Sequence, residues 1–110
     1  MGYRSDVALA MRKETFKAML SSVKDDRTAV ELVSGCEQYE NGDFILLYYT
    51  DVKWYEDFKE VKAINEFIDT LDEEQYSYHV MGEDFEDYKD RGYLDTPFEI
   101  RLSRSLEFNT

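Results

Sequence analysis

The sequence has one cysteine, one histidine, and few bases for its acids. Cys36 alone cannot form a disulfide within the chain, and with no signal peptide visible a reducing, cytoplasmic setting is expected. His79 alone, beside one cysteine, leaves too few soft ligands for a tetrahedral zinc site without unusual carboxylate help. No stretch approaches the ~18 apolar residues that a membrane-spanning helix needs. No glycine-rich phosphate loop or dinucleotide fingerprint is present. Lys and Arg number 13 against 25 Asp and Glu, a net charge of −12. That balance disfavours phosphate backbones and anionic lipid as partners and favours basic protein surfaces. Solubility alone also accounts for an acidic surface.

What is present suits a folded domain. The chain has 110 residues, 43% of them hydrophobic, with seven Phe, nine Tyr and one Trp. That is enough apolar material for a core, at the length of a single domain over residues 1–110.

Periodicity then sorts the chain into elements. "YRSDVALAM" alternates, with Tyr3, Ser5, Val7, Leu9 and Met11 on one face and the small Ala8 and Ala10 on the other, which predicts a strand. In "KETFKAMLSSV", Phe16, Met19, Leu20 and Val23 form one helical stripe. "AVELVSGCEQYENGDFILLYYTDV" reads as two strands around an Asn41-Gly42 type I′ turn, with a bulge or a close backbone approach at Ser34-Gly35-Cys36. A helix is expected over Glu56–Glu73, buried through Phe58, Val61, Ile64, Phe67, Ile68 and Leu71. The acids Asp69, Asp72, Glu73 and Glu74 would then oppose its C-terminal dipole. "QYSYHVM" alternates again, and after an acidic connection Pro97 opens a last strand. The order predicts an α+β fold: a ferredoxin-like βαββαβ antiparallel sheet, strand order 4-1-3-2, with both helices on one face and an extra C-terminal strand at an edge.

Residue type and spacing then bear on candidate sites. The stretch "HVMGEDFEDYKDRGYLD" carries Glu83, Asp84, Glu86, Asp87, Asp90 and Asp95 against Lys89 and Arg91. It does not fit a calcium loop, because the sixth position counted from Asp84 is Lys89 where glycine is required. No metal and no cofactor is expected. A Ser77–His79 relay is disfavoured, since alternate residues on a strand stand ~6–7 Å apart. Carboxylate pairs abound and so carry no catalytic information; a non-enzymatic role is expected. Phe85 and Tyr88, at i and i+3, suggest a helical turn that pins the stretch and turns Glu83, Asp84, Glu86, Asp87 and Asp90 outward. These five are the candidate partner-binding residues. Trp54 and Tyr55 are candidate anchors, with a hydrophobic staple at the helix start as the alternative. Tyr3, Phe44, Tyr48 and Tyr49 lack the RNA-binding pattern and its positive field, so no direct nucleic-acid contact is expected. A nucleotide-messenger pocket using Arg4, Lys53, Arg101 or Arg104 stands as the alternative function, and the chain is read as a monomer or homodimer.

Three short motifs, "MGYRSDV", "DVKWY" and "GED", resemble a group of small phage and prophage proteins. The resemblance implies a phage-type origin and a bacterial host cell, and assigns no residue a role. By analogy with anti-CRISPR proteins, which occupy basic grooves, it suggests an acidic inhibitor of a basic, nucleic-acid-binding host defence protein.

Overall fold

The computed structural model describes residues 4–82, 88–98, 101–102 and 106–107. Chain order is β1 (Ser5–Arg12), α1 (Lys13–Val23), α2 (Arg27–Ser34), β2 (Glu37–Asn41), β3 (Phe44–Val52), α3 (Lys59–Asp69), a 3₁₀ turn (Glu73–Gln75), β4 (Tyr76–Gly82), β5 (Tyr88–Arg91), β6 (Arg101–Leu102) and β7 (Leu106–Glu107). The first five strands form one sheet in the order β2-β3-β1-β4-β5, every neighbouring pair antiparallel. Among the described residues the result is an α+β arrangement with three helices, compatible with a ferredoxin-like fold.

The helices cover one face of the sheet. Val7, Leu9 and Met11 of β1, with Ile45 and Leu47 of β3, pack on Met19, Val33, Val61, Ile64 and Ile68 of the three helices. The expected stripes of α1 and α3 are the buried ones. On the other face Ala8 and Ala10 leave room for a second, smaller core. Phe98, fully buried, packs there with Leu46 and Met81, and β7 passes close to β1.

Five local expectations are corrected. Residues 27–34 form a helix rather than a strand: the Asp26 carboxylate caps its start by accepting the Ala29 N–H at 3.3 Å, and Gly35 N–H bonds the Glu31 carbonyl at its end. The close backbone approach read at Gly35 is this helix end, where a Cβ would meet the Glu31 oxygen. The hairpin turn is centred on Gly42-Asp43, and only the glycine has positive φ, at 60°. That is the type II′ pattern, one residue on from the expected I′ turn. The α3 helix ends at Asp69, so Asp72–Glu74 do not crowd its C-terminus. They open the 3₁₀ turn, where Asp72 N–H donates to Gln75 Oε1 at 2.9 Å. Finally, Tyr88 lies on an edge strand paired to β4 rather than on a helical turn, and the last segment supplies a separate two-stranded hairpin in place of one edge strand.

Candidate functional site

The described residues of "MGYRSDV", "DVKWY" and "GED" meet at one corner of the sheet. Ser5 of β1 pairs with Val52 on one side and Gly82 on the other. Between the pairs Ser5–Val52 and Val7–Tyr49, β3 holds Thr50 and Asp51 against Asp6 alone, a β-bulge. Asp51 has φ of 54°, a left-handed conformation that aspartate tolerates better than most residues. Two side chains from the start of the chain hold it. The Asp6 carboxylate accepts the Asp51 N–H at 3.0 Å, and Arg4 Nη1 donates to the Asp51 carbonyl at 3.1 Å.

The bulge sends the chain inward at Trp54. Its ring is 8% exposed, lies 4.9 Å from the Tyr49 ring, and its Nε1–H donates to the Tyr78 hydroxyl at 2.7 Å. Burial pushes the Tyr78 hydroxyl up to about 12, against the opposing effect of the Trp54 bond, so it stays protonated. Trp54 is therefore packing, although not a helix staple: α3 begins at Lys59, too far along for that contact. Tyr55 follows, half-exposed, its ring edge-on to Phe58 at 5.0 Å.

Trp54 and Tyr78 floor a cleft of about 650 Å³. One wall is Tyr55, Glu56 and Asp57; Asn65 of α3 closes one side; Lys89 and Arg91 of β5 form the other wall. Pleating turns Lys89 and Arg91, opposite Val80 and Tyr78, toward the helices. Both reach carboxylates. Arg91 Nη2 meets Asp69 Oδ1 at 2.7 Å, which raises the guanidinium's proton affinity, and the group lies 5.9 Å over the Tyr76 ring. Lys89 Nζ sits a looser 3.5 Å from Glu56 Oε1, spanning the cleft, with both side chains well exposed. Among the described residues Asp57 makes no hydrogen bond or ion pair.

The opposite face carries a separate polar chain. Ser77 Oγ lies 2.8 Å from His79 Nε2, and His79 Nδ1 lies 2.6 Å from the Tyr88 hydroxyl. The expectation that alternate strand residues are out of hydrogen-bond reach is overturned, because both side chains lean together across the shared face. Burial lowers the His79 proton affinity, with Asp90, opposite it in the register, acting the other way. The neutral ring fits a structural link between β4 and β5.

Of the candidate binding residues, Glu83, Asp84, Glu86 and Asp87 lie outside the described residues, as does Phe85. Asp90 is exposed on β5 and lines the cleft with Tyr55, and Trp54 is its floor. Arg4 is bound to the bulge, and Lys53 is not among the cleft's lining residues. Sequence reasoning missed Tyr78, Asn65, Lys89 and Arg91. The signal for the last two was the alternation in "YKDR", hidden by the surrounding acids. Cys36 is half-buried, and burial pushes its thiol up, away from nucleophile character. Among the described residues no cluster of His, Cys, Asp and Glu is placed to hold a metal, and no helix is long and apolar enough to cross a membrane. Comparison with known families, with curated proteins and with solved structures finds no match to this chain.

Proposed function

We propose that the protein is a non-enzymatic acidic binder of a basic protein surface, of the kind a phage-type inhibitor would turn against a nucleic-acid-binding host defence protein. The observation that carries this reading is the charge surplus. The chain has 25 acids to 13 bases. Of those bases, Lys13, Arg27, Lys89 and Arg91 are already held by the protein's own carboxylates. The excess of negative charge is what a partner meets. The scaffold is read as ferredoxin-like: with β5 set aside, the order is β2-β3-β1-β4, and three helices back one face.

The test is capture of partners from bacterial lysate at rising salt. Recovery of a basic, nucleic-acid-binding protein, lost both at several hundred millimolar salt and on neutralising Glu83, Asp84, Glu86, Asp87 and Asp90, supports the reading. Undiminished binding in high salt overturns it.

The cleft favours a second reading, a small-ligand binder of the nucleotide-messenger kind, with Lys89 and Arg91 in place of the bases expected from sequence. A thermal shift with one member of a nucleotide panel supports it, and no shift with any member removes it.

A further inference from the structure

We propose that the cleft beside Trp54 receives an arginine side chain of the basic partner, paired with Asp57 and Glu56 and laid against Tyr55. This inference rests on the acidic-binder reading above and assigns it a contact point.

Two kinds of occupant would have to displace different contacts. An anion would need Lys89 and Arg91. Arg91 is held at 2.7 Å by Asp69 and lies over the Tyr76 ring, so taking it breaks two contacts. The anion would also approach a protein of net charge −12. A cation meets the opposite situation. Asp57 has no hydrogen bond or ion pair among the described residues. Among the described residues Glu56 is held only by the exposed Lys89, at 3.5 Å, a pair of the kind worth about 1 kcal/mol or less. Lys89 has a long flexible stem and can return to water when a stronger partner takes Glu56.

Cleft chemistry also selects among cations. Trp54, Tyr55 and Tyr78 line it with aromatic surface, which suits a planar, weakly hydrated guanidinium better than an ammonium. Neighbouring carboxylates at Glu56 and Asp57 can take its several N–H donors. Asn65 offers an amide oxygen from the α3 side.

The protein supplies its own reporter, since Trp54 is the only tryptophan and floors the cleft. The full chain is titrated at low salt with a short arginine-rich peptide, a lysine-rich peptide of the same length, and ATP. The indole Nε1–H resonance and the tryptophan emission are followed. The expected result is a shift of the indole signal with the arginine peptide, smaller with lysine, and none with ATP. Asp57→Asn and Glu56→Gln should each weaken the arginine peptide roughly threefold to fivefold. Glu37→Gln, on the far edge strand β2, should leave the indole response in place. Binding of the arginine peptide with no indole shift and no effect of Asp57→Asn overturns this inference and leaves the acidic-binder reading standing. No binding of either peptide overturns both. An indole shift with ATP alone overturns both in favour of a small anionic ligand.

Discussion

Two glycines show how differently one residue type can matter. Gly42 and Gly92 both have positive φ, at 60° and 78°. A Cβ at Gly42 would meet nothing, whereas one at Gly92 would collide with the carbonyl oxygen and ring of Tyr76. Gly42→Ala should therefore cost only the strain of a left-handed backbone, about 1 kcal/mol. Gly92→Ala should cost about 3 kcal/mol or more, because the chain leaving β5 must pull away from β4. Urea unfolding of both variants checks this, and equal losses would refute the packing argument. His79 gives a second residue-scale prediction. Its native proton affinity is lowered from the ordinary 6.5 by burial. As pH falls below about 6.5 the unfolded chain takes up this proton before the native one does, so the ring's contribution to stability, full above that pH, is lost on acidification. His79→Gln should flatten the fall in the urea midpoint just below pH 6.5. An unchanged slope would show that the ring does not report on folding.

At the scale of elements, α2 is the instructive case. "TAVELVS" is rich in β-branched and aliphatic residues, and its one buried pair a turn apart, Ala29 and Val33, is too short to declare a period. The capping aspartate and the closing glycine decide it. Asp26→Ala should lower stability by about 1 kcal/mol, measured by urea unfolding, with Thr28 losing its 2.8 Å partner as well. A neutral effect would mean that packing of Ala29 and Val33 alone holds the helix. By contrast β1, β3, α1 and α3 are legible in the sequence, because each is long and shows its period over several turns or alternations. The candidate cleft is legible in the sequence at Trp54, Tyr55 and Asp90. Its other members come from three further elements, and their meeting depends on strand order and on the bulge at Asp51, neither of which leaves a local mark. In Tyr88–Arg91 the charges draw the eye, yet the alternation is what turns Lys89 and Arg91 toward the helix side of the sheet, and Asp90 between them also lines the cleft.

Across the whole molecule, like-charge repulsion at a net charge of −12 outweighs any single ion pair. The four ion pairs among the described residues are all substantially exposed, and each contributes at most about 1 kcal/mol. Raising salt from about 0.01 to about 0.15 M shortens the screening length from ~30 to ~8 Å. Repulsion spread over the whole surface should fade more than the few short pairs do, so the urea midpoint should rise over that range. A falling midpoint would mean that the ion pairs outweigh the surplus charge.

The placement of β1 has a consequence for synthesis. It leaves the ribosome before the other strands of its sheet and is the central one, yet its two neighbours, β3 and β4, begin at Phe44 and Tyr76. The β2–β3 hairpin and the helices can form from nearby sequence, but the apolar strand "VALAM" must wait for both partners. Until Gly82 has emerged to pair with Ser5, one side of β1 has no native strand to bond, and for that interval the nascent chain depends on its charge to stay apart from its neighbours.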